Sequence, residues 1–188
     1  SYKCMRIISG KFRGKKLNQP IDKNTRPLKD MTKESIFNLL LHSKNYSINF
    51  EKLKVLDLFS GSGSFGLECL SRDVKEVTFV ENYSHAIKIL KKNIQSLGLN
   101  NGYKILEENI FKLNKYSDLK KNYDLIFADP PYKEEKIDEL LSIIIEMNYL
   151  KKSGLLILHR NKLDQEVTST KFDIIEERYY GISKIIFL

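Results

Sequence analysis

The sequence predicts an α/β fold in which strands and helices alternate around one mostly parallel sheet of seven strands. From Leu53 onward, short apolar runs alternate with segments whose apolar residues recur every three or four positions, as expected for strands and helices. The final segment indicates two strands around Gly181, which predicts an antiparallel hairpin at the sheet edge. Ligands of such sheets bind beyond the carboxyl ends of the strands, so those turns are the places to search for a site.

The individual elements follow from the same periodicity. We expect strands at 54–59, 76–81, 103–106, 124–128 and 154–158, and the hairpin at 172–178 and 183–188. A helix is expected from the glycine-rich turn after the first strand to about residue 72. A second should cover 84–97 and stop at Gly98, and a third carries its apolar residues between Ile137 and Ile144.

Residues 1–45 are predicted to form a basic extension, and 46–188 the main α/β domain. Residues 5–9 and 15–17 flank Gly10–Gly14, which predicts a short hairpin. Asp30 or Thr32 can then cap a helix, with an apolar face of Ile36, Phe37, Leu40 and Leu41. Residues 1–33 hold ten lysines and arginines against two aspartates, a balance of +8 that equals the net charge of the whole chain. Concentrated positive charge favours a polyanion partner over a basic tail without one.

Composition narrows the class of protein further. The chain has 188 residues, 41% of them hydrophobic and 30% charged, as in an ordinary globular domain. Its start lacks the apolar core of a secretory signal, and no run approaches the roughly 18 apolar residues of a membrane span. Cys4 and Cys69 lack the spacing of metal ligands, and Cys69 is expected to be a buried structural thiol. We therefore expect a cytoplasmic protein without a metal.

The first ligand-facing turn contains Gly61, Gly63 and Gly66 in the pattern G-x-G-x-x-G, and Glu81 ends the next strand. This pattern suits both a dinucleotide and S-adenosylmethionine, because a carboxylate can accept the ribose hydroxyls of either. Asp57, inside the first strand, favours S-adenosylmethionine, since a carboxylate would attract an ammonium and repel a pyrophosphate. The chain also lacks the second domain that most dehydrogenases use for substrate.

The fourth strand leads directly into Asp129, Pro130, Pro131 and Tyr132. Two prolines after a strand fix the backbone and direct the preceding acceptors outward. The Asp129 carboxylate and a nearby carbonyl could hold the N–H groups of an exocyclic base amine and stabilise charge during methyl transfer. Tyr132 offers a ring on which a flipped base can stack. The alternative is a rigid turn that only leads into the next helix.

With these segments in view, the chain resembles the bacterial 16S ribosomal RNA guanine-N2 methyltransferase family over nearly its whole length. The segments that carry the resemblance are Arg6–Leu17, Arg26–Pro27 with Asp30 and Glu34–Asn38, Leu56–Ser71 and Phe127–Tyr132. The resemblance implies a Rossmann-like class I S-adenosylmethionine-dependent methyltransferase that modifies guanine N2 in 16S ribosomal RNA, free or in a partly assembled small subunit, and acts as a monomer away from membranes.

The resemblance also assigns roles to residues of this chain. Asp129 to Tyr132 would hold the guanine, Glu81 the ribose, and Asn109 would lie near the adenine. The full set implied for the cofactor is Asp57, Phe59, Ser60, Gly61, Gly63, Glu81, Asn82, Asn109 and Ile110. The basic residues implied for RNA are Arg6, Lys11, Arg13, Lys15, Lys16 and Arg26.

The chain departs from the family pattern at a few positions. Leu28 follows Arg26-Pro27 where the family often has threonine, and Met31 and Lys33 stand where it often has arginine. His159 ends the fifth strand where the family tends to be acidic, and we interpret it as structural or as lining the rim of the site.

Four other functions remain open. An adenine-N6 methyltransferase acting on DNA or RNA would use the same Asp-Pro-Pro-Tyr chemistry, although no segment is long enough for a DNA-recognition domain. A protein-glutamine methyltransferase fits the basic N-terminus poorly. A non-catalytic RNA-binding assembly factor and a dinucleotide oxidoreductase are the alternatives of a different class.

Overall fold

The computed structural model describes residues 5–20, 27–46, 48–131, 136–164, 167 and 172–188. The predicted N-terminal hairpin is present, with β1 (Met5–Arg6) antiparallel to β2 (Lys16–Leu17). Helix α1 (Asp30–His42) follows. Among the described residues, no helix has the length and apolarity to cross a membrane.

The main sheet has seven strands in the order β5-β4-β3-β6-β7-β9-β8. Their bounds are β3 Lys54–Leu58, β4 Glu76–Val80, β5 Tyr103–Leu106, β6 Tyr123–Ala128, β7 Leu150–Asn161, β8 Glu176–Tyr180 and β9 Ser183–Phe187. The first five strands are parallel, and β9 is antiparallel to both β7 and β8. The predicted mostly parallel sheet with a C-terminal hairpin is confirmed.

The strand order reverses at β3, which lies between β4 and β6. The chain moves outward from β3 to β4 and β5 and then returns to β6 on the other side of β3. Such a reversal opens a crevice at the carboxyl ends of the strands, where ligands of α/β sheets bind. The turns after β3, β4 and β6 all meet at this edge, which we call the ligand edge.

Helices cover both faces of the sheet. The remaining helices are α2 Ser64–Ser71, α3 Ser84–Ser96 and α4 Ile137–Glu146. One core joins the N-terminal hairpin, α1, α2 and α3 to side chains such as Val55, Phe127 and Ile157. The other joins α4 to the alternate positions of the same strands, such as Leu56, Ile126 and Leu158. The alternation follows because successive strand residues point to opposite faces.

Buried polar groups hold the N-terminal hairpin to the domain. The Glu68 carboxylate accepts hydrogen bonds from the backbone N–H groups of Ile8 (2.8 Å) and Ser9 (3.0 Å). The fully buried Lys33 ammonium lies 3.3 Å from Glu68 and also donates to the Arg6 carbonyl at 2.8 Å. A Cβ at Gly10 would lie 1.9 Å from a backbone oxygen, so glycine is required for this close approach. The hairpin is therefore a packed part of the protein.

Four local predictions were wrong. Strand β7 extends over 150–161, because its register with β6 shifts and its last residues pair with β9. Strand β8 begins at Glu176, not at residue 172. Leu41 is 47% exposed, since it lies off the buried face of α1. Neither predicted cap forms: Lys29 occupies the N-cap position of α1 without a side-chain hydrogen bond, and Asp30 instead pairs with Arg6 at 3.3 Å.

Candidate active site

Three acidic side chains meet at the ligand edge. Asp57 lies in β3, Glu81 follows β4, and Asp129 follows β6. The strand register brings them together, since Leu58 aligns with Val80 on one side and with Ala128 on the other. The result is a crevice of negative charge, which favours a cationic ligand and opposes a phosphate.

The glycine-rich turn between β3 and α2 has an open side and a packed side. Gly61 has φ +55°, and a Cβ there would meet no atom within 4 Å, so its face is open to a ligand. A Cβ at Gly66 would lie 2.3 Å from the Phe79 ring, so this glycine allows α2 to pack against β4. Gly63 adopts φ +88° as the N-cap residue of α2.

Asp57 is buried, with 1% of its surface exposed, and accepts a hydrogen bond from the Gly66 N–H at 3.0 Å. This bond satisfies one of the free N–H groups in the first turn of α2. Burial raises the pKa of Asp57 well above its ordinary value, the Gly66 N–H opposes the rise, and the charges of Asp129 and Glu81 add to it. A nearby cation would relieve this penalty.

Glu81 organises the main chain around the turn. Its carboxylate accepts from the N–H groups of Gly61 (2.9 Å), Asn82 (2.9 Å) and Tyr83 (3.1 Å). In a dinucleotide site the turn's N–H groups bind the pyrophosphate. Here carboxylates already accept from Gly61 and Gly66. The turn is thus unsuited to phosphate, while a carboxylate can still accept hydroxyl hydrogen bonds.

The other residues predicted for a cofactor lie around the same edge. Phe59, next to the turn, has φ +54° and its ring lies 6.2 Å from that of Phe111. The Ser60 hydroxyl is buried and has no hydrogen-bond partner among the described residues. Asn109 accepts from the Phe111 N–H at 3.0 Å and starts a short 3-10 turn with the buried Ile110. The structure therefore brings the predicted cofactor residues to one edge.

Asp129 lies beside an unpredicted partner. His159 Nδ1 is 3.0 Å from Asp129 Oδ1, and His159 Nε2 is 2.9 Å from the Ser183 hydroxyl. His159 is 1% exposed, so it is not a rim residue. Pro130 is buried and Pro131 is exposed. Tyr132 lies outside the described residues.

The basic residues of the N-terminal hairpin face solvent. The exposed set is Arg6, Lys11, Arg13, Lys15 and Lys16, and Arg26 lies outside the described residues. Arg6 and Lys16 are cross-strand partners. They lie near the start of α2, where Lys33 joins the Arg6 carbonyl and the Ser64 hydroxyl. The hairpin tip lies at the other end of α2, where the Lys11 N–H donates to the Ser71 carbonyl. The basic surface thus runs from the ligand edge along α2.

Sequence reasoning missed the polar residues that hold the site in place. No role was predicted for Glu68 or for Asn93. Buried Asn93 exchanges two hydrogen bonds with the Asn18 backbone and donates to the Ser62 carbonyl at 2.9 Å. For Glu68 the available signal was an isolated charged residue within an apolar run, which is costly to bury unless it has a partner. Cys69 is buried as expected, and burial raises its pKa.

The chain is similar to known proteins over nearly its whole length. The family described as Conserved hypothetical protein 95 matches residues 5–188. The chain is 33% identical over 184 residues to the Bacillus subtilis protein named "Putative rRNA methyltransferase YlbH", covering 96% of each. It is 32% identical over 179 residues to "Ribosomal RNA small subunit methyltransferase D" of Haemophilus influenzae, covering 95% of this chain and 90% of the relative.

Among solved structures, the fold is similar to that of a protein described as a "putative methylase" from Haemophilus influenzae. The TM-score is 0.75 at 29% sequence identity, and the match covers 98% of this chain and 97% of the other. Nearly all of both chains is aligned, so the similarity is not confined to part of the fold.

Proposed function

Because the chain belongs to the Conserved hypothetical protein 95 family, the family of small-subunit ribosomal RNA methyltransferase D, we propose that it transfers a methyl group from S-adenosylmethionine to guanine N2 in 16S ribosomal RNA. The observation that supports this proposal most strongly is that the pairing of β3 with β6 places Asp129 at the same sheet edge as Asp57, Glu81 and the glycine-rich turn. We further propose that it acts as a cytoplasmic monomer.

The residues at the turn fit S-adenosylmethionine. The open face of Gly61 leaves space for a ligand against the main chain, and the buried Ser60 hydroxyl has no partner among the described residues. Asp57 would attract the ammonium of the cofactor, and Glu81 would accept the ribose hydroxyls. Phe59, Gly63, Asn82, Asn109 and Ile110 would complete the pocket. When bound, S-adenosylmethionine supplies a methyl group activated by the sulfonium.

Asp129 would orient the amine that receives the methyl group. The lone pair of guanine N2 is delocalised into the ring, so the amine is a weak nucleophile. A hydrogen bond from the amine N–H to the Asp129 carboxylate favours a localised lone pair and stabilises the positive charge that develops on nitrogen. Pro130 and Pro131 would fix the adjacent carbonyls as a second acceptor, and Tyr132 would stack on the flipped base.

The basic surface along α2 supports an RNA substrate. Arg6 and Lys16 lie near the start of α2, while Lys11 and Arg13 lie toward the hairpin tip. Within the described residues no acidic side chain pairs with Arg13, Lys15 or Lys16, whereas Arg6 and Lys11 have acidic neighbours at 3.3 and 3.4 Å. An RNA strand that crosses α2 would meet several of these charges and place a base near Asp129.

The test is a methyl-transfer assay with labelled S-adenosylmethionine and small-subunit ribosomal RNA, followed by nucleoside analysis. Wild-type protein should yield N2-methylguanosine. Asp129→Asn should lower kcat by about 10²-fold or more while titration shows nearly unchanged cofactor affinity. Asp124→Asn, at the other end of the same strand, is the matched control and should retain activity. Label in adenosine, or full activity in Asp129→Asn, would refute the proposal.

A further inference from the structure

The side chains of Asp129, His159 and Ser183 form one hydrogen-bonded row across three neighbouring strands. Asp129 follows β6, His159 lies in β7, and Ser183 begins β9. The strand order β6-β7-β9 and the pairs Ala128–Leu158 and Asn161–Ser183 bring them together. Each lies two positions from a member of the same hydrophobic core, namely Phe127, Ile157 and Ile185. Residues two apart in a strand share a face, so all three side chains point to the same face of the sheet.

The row leaves one arrangement of protons when Asp129 is ionised and His159 is neutral. An ionised carboxylate can only accept, so Nδ1 of His159 must carry the proton of the 3.0 Å contact. In the neutral ring Nε2 is then an acceptor, and the Ser183 hydroxyl donates to it across 2.9 Å. The carboxylate therefore selects the Nδ1–H tautomer, and the Ser183 hydroxyl completes the arrangement by donating to Nε2.

Burial makes this arrangement rigid. The His159 side chain is 1% exposed and Ser183 is 7% exposed, so water competes little for either hydrogen bond. The Asp129 side chain is 14% exposed and follows the last residue of its strand. The hydrogen bond from His159 Nδ1 to Oδ1 restrains the rotation of this carboxylate.

We propose that His159 is a positioning residue for methyl transfer, which donates its Nδ1–H to Asp129 Oδ1 and thereby fixes the plane of the carboxylate that receives the substrate amine. Ser183 in turn holds the imidazole ring in place through its hydrogen bond to Nε2. This inference rests on the proposed function of Asp129. Misplacement of a reacting group by about 1 Å can cost about 10²-fold in rate, so a residue that only orients the carboxylate can affect kcat strongly.

Substitutions at His159 separate a positioning role from a packing role. His159→Asn keeps an N–H at the position of Nδ1, whereas His159→Leu keeps the bulk without a donor. Leucine should lower kcat by about 10–100-fold, the range found when the hydrogen-bond partners of metal ligands are removed, with KM for S-adenosylmethionine little changed. Asparagine should restore most of kcat, and Ser183→Ala should give an intermediate loss. Equal kcat in the leucine and asparagine variants would overturn the proposal.

A second measurement does not depend on activity. Nitrogen-15 NMR of the histidine rings reports which nitrogen carries the proton, and the two other histidines of the chain, His42 and His85, are exposed. We expect a protonated Nδ1 and an unprotonated Nε2 for His159, and a changed signal in Asp129→Asn. A bare Nδ1 would overturn the proposal even if the protein methylates RNA. Conversely, a protein that shows the expected tautomer but never methylates RNA would refute the proposed function instead.

Discussion

Replacing Glu68 by glutamine should destabilise the protein far more than the same change at the surface. Glu68 is fully buried and accepts from two backbone N–H groups of the hairpin, from Lys33, and from Arg72 at 2.9 Å. Glutamine keeps the shape but loses the charge and replaces one acceptor with a donor. Lys33, also fully buried, would then lack its counter-charge.

The size of the effect follows from burial. Removing one partner of a buried ion pair costs about 3–5 kcal/mol, and a domain of this length shifts its Tm by about 2–4 °C per kcal/mol. We therefore expect Tm to fall by about 6–20 °C. Lys91 and Glu107 form a pair of nearly the same length, 3.2 Å, but both side chains are 53% exposed. Glu107→Gln should cost below about 1 kcal/mol.

The assays are thermal unfolding, which gives Tm, and urea unfolding of both variants at several pH values. Burial lowers the pKa of Lys33, and the Glu68 charge opposes that shift. Without the charge, the pKa of Lys33 falls further below its value in the unfolded chain. Stability should therefore rise with pH in the window below the ordinary lysine pKa, because the unfolded state binds the proton more tightly. Equal losses in Glu68→Gln and Glu107→Gln at neutral pH would refute the assigned role of the buried pair.

Three further outcomes are expected. Because the pKa of Asp57 is raised, its contribution to stability is present below the ordinary carboxyl pKa and is lost as pH rises through the raised value. Asp57→Asn should remove this pH dependence from the Tm measured by thermal unfolding. Identical profiles of Tm against pH in the variant and the wild-type protein would contradict the shift. Gly66→Ala should cost about 1–3 kcal/mol, because its Cβ would lie 2.3 Å from the Phe79 ring; an unchanged Tm would argue against this packing. Lys15→Glu with Lys16→Glu should weaken RNA binding and reduce its salt dependence.

The last of these has a control of equal charge. Lys88 and Lys92 lie one turn apart on the exposed face of α3. Reversing both changes the net charge by the same amount without touching the hairpin. If both double variants lose affinity for ribosomal RNA equally, overall charge and not the basic surface along α2 determines binding.

The fold was largely predictable where elements are short and regular. Strand β5 has the predicted bounds and α3 begins at the predicted residue, because the apolar pattern of each element is unbroken. Strand β7 was not predictable in full, since residues 151–153 near its start are polar and exposed and its last residues pair with β9. The hairpin position of β9 between β7 and β8 depends on long-range pairing.

The candidate site was predictable to a similar degree. Local motifs predicted the turn around Gly61 and the acidic strand ends, because their chemistry is written in consecutive residues. Contacts across the sheet were not predictable. His159 reaches Asp129, 30 residues earlier, only through the register of neighbouring strands. Asn93 of α3 joins Asn18, 75 residues earlier, because the helix packs against the segment that follows β2.

The central claim is that this chain methylates guanine N2 in small-subunit ribosomal RNA. The most direct measurement is nucleoside mass spectrometry of that RNA from cells with the gene, without it, and complemented with Asp129→Asn. We predict one N2-methylguanosine that disappears without the gene and returns with the wild-type protein but not with the variant. An unchanged content of N2-methylguanosine in all three, or loss of a different modification, would contradict the account.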